Sequence, residues 1–487
     1  GNKRPEPKYL QGAGLVVENT AGGILALTGG RDFVHSEYNR AVQGKRAAGT
    51  AFTPFVYAAA FQSGTFPGEI VQDACIDNRY VMVGGETGIL GEWGVETADN
   101  EYEGPITARD ALVKGKNAAT VRLGMKTGIQ AVKTIAAAAG ISSPIRDYAN
   151  AFLGSSEVTL DEIVLGYTVF PNLGQRPADL YIIQSVQDAN AKTIFNAPRK
   201  RYQVISPAAA YQVHSCLSDY MERGQGSLAT KQFGLGGFPV AGKAGTAYGF
   251  TDTYFIGYSQ AITCGVWVGF DKPTKIYRGA FGKDLALPIW SKIMNVAEKD
   301  FASKVIEKPT VLKPIEICRS SGLLVAPRCT QAPSAPEGAP QQNAADAQAS
   351  TTYKEWATEV QAPSIICDIH GGGVRNYAKE FDQDDWPKAA AAVDLSKIRP
   401  IAMTASALVG FNDVYQSVRP GAESDNDANI PVAKAIPVDT PPPSTDTATA
   451  LPAEVEVRRA EPVNAQSQPL EAPALSVPPP AAIDLSN

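Results

Sequence analysis

Up to Lys299, apolar positions recur at two spacings, and the change from one to the other lays out the elements. Strand-like runs at 14–18 and 24–28 flank the turn Asn19-Thr20-Ala21-Gly22-Gly23 and predict a hairpin. A second hairpin is predicted at 253–258 and 262–270, entered by a strand starting at Gly242, and shorter strands at 80–83, 181–186 and 193–195. Helical spacing of Phe52, Phe55, Val56, Ala59 and Ala60 predicts a buried helix to about Gln62. Thr50 is read as its N-cap, and Pro54 sits in the first turn, where a missing N–H costs nothing. Thr107 is read as the cap of a helix to Lys114, which breaks at Gly115-Lys116-Asn117 and resumes over 119–125 and 129–139, closed by Gly140. Further helices are predicted over 160–170, 207–223 and 288–298. Strands at both ends with helices between them indicate an α+β fold whose antiparallel sheet joins the N-terminal hairpin to the later strands.

Composition changes this picture mainly at the C-terminal end. With 487 residues, 44% of them hydrophobic, the chain can bury a large core and is long enough for more than one domain. Residues 1–299 carry the periodic pattern. Residues 300–380 form an extension in which 309–328 and 353–373 look ordered around an Ala/Gln/Pro-rich stretch at 332–350. Residues 381–487 read as a Pro/Ala-rich, largely disordered tail: 416–487 holds 13 prolines and no aromatic residue, too little apolar surface to order itself.

The net charge of −6 gives no electrostatic case for nucleic acid. The best apolar run, 261–270, is strand-length, far from the roughly 20 residues of a membrane span. The chain opens Gly1-Asn2-Lys3 with no signal-peptide pattern, so any anchor is expected upstream. Gly29-Gly30 does not make a phosphate loop, because neither nucleotide-binding spacing follows. Of the six cysteines and three histidines, only Cys318, Cys329, Cys367 and His370 are placed to converge. With no C-x-x-C pair, and because an exported protein would favour a disulfide, one is expected among those three cysteines, with no metal or other cofactor, and buried thiols at Cys216 and Cys264.

Candidate chemistry gathers at three places. Thr50 and Thr53 are three apart, so they share one face at a helix mouth, the geometry of a nucleophile followed by a base. Asn117 follows a helix break, and Lys243-Ala244-Gly245-Thr246 starts a strand on which residues 244 and 246 share a face. Over 12–294 these segments, with Thr28-Gly29-Gly30-Arg31-Asp32, Tyr38-Asn39-Arg40-Ala41, Leu153-Gly154-Ser155-Ser156 and Gly265-Val266-Trp267-Val268-Gly269-Phe270-Asp271, resemble the transpeptidase domain of bifunctional (class A) penicillin-binding proteins.

The resemblance implies a fold like that of serine β-lactamases, an antiparallel sheet with a helical subdomain. It implies a cleft in which S-x-x-K, S-x-N and K-T-G meet to acylate on D-Ala-D-Ala stem peptides of peptidoglycan. On that pattern Thr50 stands at the nucleophile, Thr53 at the base, Gly115 at the relay serine and Ala244 at the middle of K-T-G, while Asn117, Lys243, Gly245 and Thr246 match as substrate-binding positions. The backbone N–H groups of residues 50 and 246 would form the oxyanion hole. A threonine hydroxyl has no useful proton affinity near neutral pH, so a catalytically inactive domain is expected. Lys45, Arg46 and Lys116 are the conceivable substitute bases, of which only Lys116 is placed toward that face.

The expected ligand is therefore a stem peptide or β-lactam held without a covalent bond, in an extracytoplasmic protein anchored to the inner membrane through a segment outside this chain. The alternatives are an active D,D-transpeptidase or carboxypeptidase using Thr50, and an envelope-protein interaction module working through the extension and tail.

Overall fold

The computed structural model describes residues 9–74, 76, 102–329 and 351–370, with a two-residue strand at Ala482–Ile483. The expected strand at 80–83, the stretch at 332–350 and nearly all of the tail from 381 lie outside these residues.

The chain begins with β1 (Gln11–Glu18), β2 (Ile24–Thr28) and the short β3 (Arg46–Ala47), followed by a 3-10 turn, Gly49–Phe52, and α1 (Thr53–Gln62). Next come β4 (Ile70–Asp73), β5 (Gly104–Thr107), α2 (Ala108–Lys114), α3 (Asn117–Thr127) and α4 (Ile129–Ala138). Strand β6 (Glu157–Val158) leads to α5 (Leu160–Tyr167), and the short strands β7 (Gln175–Pro177), β8 (Ser185–Gln187), β9 (Thr193–Asn196) and β10 (Arg201–Gln203) precede α6 (Pro207–Arg223) and α7 (Leu228–Lys231). The chain closes with β11 (Ala241–Thr246), β12 (Asp252–Tyr258), β13 (Ile262–Gly269), α8 (Gly282–Ala297), β14 (Lys313–Cys318) and β15 (Thr352–Ala357).

Five strands form one antiparallel sheet in the order β11-β12-β13-β1-β2, so the N-terminal hairpin joins the later strands as its pattern predicts. Both faces are covered, which is why β12 and β13 are buried at every position. Alternation divides the side chains: Phe255, Cys264, Val266 and Val268 pack with Trp290 of α8 on one face, and Tyr254, Ile256, Tyr258 and Trp267 join the helical core on the other. Trp290 fits because position 257 is glycine; a Cβ there would stand 2.6 Å from its ring. Helix α1 lies in the middle of the helical layer and is buried from Thr53 through Phe61, with no polar face, as expected of a helix enclosed on all sides.

Three expectations are corrected. Thr50 is not an N-cap: it lies inside the 3-10 turn, whose cap position is Ala48, and α1 starts only at Thr53. The last helix starts at Gly282 and carries Pro288 in its interior, because the hydroxyl of Thr246 on β11 accepts from Gly282 N (3.0 Å) and supplies a cap from another part of the chain. The strand expected over 181–186 shrinks to Ser185–Gln187, since Tyr181 gives its backbone to Gly22 and Ile24 beside the first hairpin. The cap at Thr107 forms as read, accepting from Asp110 N (3.1 Å), and Ser206 caps α6 by accepting from Ala209 N (3.2 Å).

The extension pairs β14 with β15 and is held to α2. Arg109 of α2 donates twice to Glu355 of β15, at 2.7 and 2.6 Å, and Glu355 is fully buried. Arg319 reaches Asp110 at 2.8 Å, and the amide of Gln361 donates to the carbonyls of Phe61, in the last turn of α1, and Thr65, just beyond it. The expected disulfide is not formed: Cys318, Cys329 and Cys367 are free, buried thiols, as are Cys216 and Cys264.

Candidate active site

The sheet ends at β11, and the 3-10 turn is laid directly on that edge strand. Two glycines make the contact possible. Gly49 has φ +55°, and a Cβ on it would stand 2.2 Å from the carbonyl oxygen of Thr246; a Cβ on Gly245 would stand 2.3 Å from that of Ala48. The backbones of 48–51 and 244–246 are thus as close as two chains can come. Residues 50 and 246, which the sequence separates by most of the domain, share one edge.

Each hydroxyl at the helix mouth is engaged. Thr50 Oγ1 donates to Ala244 O at 3.2 Å, across to the strand. Thr53 Oγ1 donates to Thr50 O at 2.9 Å, the back-bond a threonine commonly makes inside a helix, and Thr53 is only 3% exposed. At the position where the family pattern wants a proton acceptor, the structure has a buried donor committed to the backbone.

Gly115 ends α2 in the left-handed region, φ +72° and ψ 39°. A Cβ there would meet a single group within 4 Å, Lys243 Nζ, at 3.8 Å. The relay position therefore does face the lysine of β11, with no side chain to bridge them. Asn117, at the start of α3, is 2% exposed, and its Nδ2 has no hydrogen-bond partner among the described residues. A buried donor left open in this way costs on the order of 1–3 kcal/mol, which a ligand carbonyl would recover.

Lys243 is the group that sequence reasoning undervalued. It is 3% exposed, its ammonium lies over the ring of Tyr220 (4.9 Å), and Nζ donates to Ala244 O at 3.2 Å. No carboxylate pairs with it among the described contacts, and burial alone pushes its pKa from 10.5 down to about 7. Lys243 Nζ and Thr50 Oγ1 thus contact the same carbonyl oxygen. Tyr220, unmarked in the sequence except as an apolar-face position of α6, forms the wall behind the lysine. Lys116 is removed as a substitute base: its Nζ lies 3.3 Å from both Asp73 and Glu103, and although burial favours the neutral form, those two carboxylates outweigh it and raise its pKa. Arg46 is turned to Asp252 and the carbonyls of Phe270 and Asp271.

Elsewhere the family-like motifs are structural. Arg40 forms a bidentate pair with Asp271, at 2.5 and 2.7 Å, and so ties the loop after β2 to the loop after β13. Tyr167 of α5 donates to Ala51 O and fixes the 3-10 turn from below. A cavity of ≈ 510 Å³ lined by His214, Met221, Phe238 and Val240 lies at the Ala241 end of β11, away from Thr50 and Asn117.

Sheet, buried helix and edge-strand cleft together define a transpeptidase-like domain. Residues 12–295, more than half of the chain, match the family described as the penicillin binding protein transpeptidase domain, and the chain belongs to that family. It is 31% identical over 306 residues to penicillin-binding protein 1A of Neisseria meningitidis, covering 62% of this chain and 37% of that protein. It is 29% identical over 339 residues to penicillin-binding protein 1A of Rickettsia typhi, covering 65% of this chain and 42% of that one. The chain thus spans about two-fifths of the length of these relatives.

Among solved structures it resembles penicillin-binding protein 1A from Haemophilus influenzae (TM-score 0.60, 22% identity, covering 74% of this chain and 54% of that one). It also resembles PonA1 from Mycobacterium tuberculosis in complex with penicillin V (TM-score 0.52, 22% identity, covering 63% and 82%). The fold expected from the sequence, an antiparallel sheet with a helical subdomain in a penicillin-binding protein, is the fold observed.

Proposed function

We propose that this transpeptidase domain takes part in peptidoglycan synthesis by holding a stem peptide in its cleft without forming an acyl bond. One observation carries the reading: the hydroxyl of Thr53, in the base position, is buried and donates to Thr50 O, so the helix face that should activate Thr50 offers it no proton acceptor. Losing a nucleophile's base costs on the order of 10⁴ to 10⁶ in rate in comparable systems, and a further missing relay adds little once the unit is broken. Binding does not need that unit. The open Nδ2 of Asn117, the amine of Lys243 and the Thr246 hydroxyl are groups suited to a peptide amide and a terminal carboxylate.

The likeness to penicillin-binding proteins 1A supports a parent protein that works in the cell envelope, outside the cytoplasm. A membrane anchor and a glycan-polymerising domain upstream, and an envelope partner for the tail, belong to the same proposal. Among the described residues no helix is long and apolar enough to cross a membrane.

Fluorescent penicillin tests the reading directly. The expected result is no denaturation-resistant label on the wild-type chain and a gain of label in Thr50→Ser/Thr53→Lys; covalent label at Thr50 of the wild type would overturn it. A second reading, an active enzyme, is favoured by the shared contact of Lys243 and Thr50 with Ala244 O, because an amine with a pKa of about 7 is a competent base. On that reading labelling rises as pH passes through 7 and disappears in Lys243→Met.

A further inference from the structure

Beyond the cleft, the extension brings together Cys318 from the end of β14, Cys329 from the turn that follows, and Cys367 with His370 from the segment after β15. Their ligand atoms all lie within 4.8 Å of one another. The sulfurs of Cys318, Cys329 and Cys367 stand 3.3, 3.7 and 3.6 Å from His370 Nδ1. An imidazole nitrogen has one lone pair and can accept one S–H bond, so hydrogen bonding does not account for three thiols arranged around it. A common central atom does. With Zn–S of about 2.3 Å and Zn–N of about 2.05 Å, a tetrahedron places nitrogen about 3.55 Å from each sulfur, and the three observed separations straddle that value.

We propose that Cys318, Cys329, Cys367 and His370 form a structural zinc site that fastens the C-terminal extension to the transpeptidase domain. Three thiolates and one imidazole select a soft, tetrahedral divalent ion, and four protein ligands leave no open position for chemistry. As the metal binds, each thiol that is still protonated gives its proton to solvent and no electron moves. The surroundings are those of thiolate ligands: His370 N donates to Cys367 Sγ at 3.4 Å and Ala326 N to Cys329 Sγ at 3.3 Å, backbone bonds that stabilise negative sulfur and fix its direction. Three of the four ligands are buried.

The placement gives the metal its purpose. Cys318 is the last residue of β14, and the next residue, Arg319, reaches Asp110 of α2, while Glu355 of the paired strand is bound to Arg109 of the same helix. Helix α2 ends at Gly115, beside Lys243. A metal that fixes β14 against the 367–370 turn therefore fixes the platform against which the cleft's relay position is built.

The test uses the full chain purified without chelator. Elemental analysis should find about one zinc per chain, retained through dialysis against a weak chelator, lost in Cys329→Ser and unchanged in Cys216→Ser. Because Cys329→Ser could misfold, the wild type is also exchanged with cobalt(II), which should give thiolate-to-metal charge transfer and intense visible bands of a tetrahedral site. A strong chelator should lower the thermal midpoint of the wild type and leave that of Cys329→Ser unmoved. Metal-free wild type whose denatured thiol count falls two short of its cysteine content would mean a disulfide and overturn the proposal, as would a cobalt form without thiolate bands.

Discussion

Lys243→Met isolates the energetic consequence of burying an amine at the cleft. Lys243 has a folded pKa of about 7 against 10.5 when unperturbed, with burial as the cause. Between those values the unfolded chain binds a proton that the folded chain does not, so stability rises with pH across that window. Each pKa unit corresponds to about 1.4 kcal/mol, which makes the full penalty about 5 kcal/mol below pH 7 and leaves a gain of about 2–3 kcal/mol between pH 7 and pH 9. Methionine has similar length and no charge. The variant loses the contact over Tyr220, about 1–2 kcal/mol, and escapes the burial penalty, so at pH 7 it should be more stable by roughly 3 kcal/mol. Urea unfolding of both proteins from pH 6 to pH 9 is the assay, because other titrating groups cancel in the difference. The wild type should gain on the variant as pH rises; parallel curves would mean that Lys243 is not held near neutrality, and the second catalytic reading would lose its base.

The other predictions test the scaffold. Gly49→Ala should destabilise by about 3–5 kcal/mol in thermal unfolding, since both the positive φ and the Thr246 carbonyl oppose a Cβ, whereas Gly64→Ala, at φ +107° with nothing within 4 Å, should cost about 1 kcal/mol. Glu355→Ala leaves Arg109 buried with the Asp219 carboxylate and the Ser215 hydroxyl, each at 3.0 Å, and should cost about 3 kcal/mol while making the extension the first site of limited proteolysis. His214, packed between Tyr211 and Tyr258, has its pKa pushed from 6.5 down to about 4 by burial, so the folded form binds fewer protons and stability falls as pH drops from 6.5 toward 4. His214→Phe should flatten that decline, by at most about 3.5 kcal/mol; an unchanged acid limb in unfolding curves would refute it.

The sequence by itself determined what depends on neighbours along the chain. Alternation over 253–258 and 262–270 defined the central hairpin, Thr107 and Ser206 capped their helices, and Gly115 stopped α2, because periodicity and capping are set by residues a few positions apart. The family resemblance also marked Thr50, Thr53, Gly115, Asn117 and Lys243 as one site, and the fold sets Thr50 against Ala244 and Gly115 beside Lys243.

Only the tertiary structure decided how those groups are spent. Thr50 was expected to cap a helix and instead reaches a strand 194 residues away, and Thr246 caps a helix 36 residues on. Lys243 became a near-neutral amine because burial without a carboxylate is a property of its surroundings, which local pattern does not encode. The three thiols that suggested a disulfide converge on a histidine instead, since which sulfurs meet depends on how β14 and the 367–370 turn pack, and no spacing along the chain fixes that.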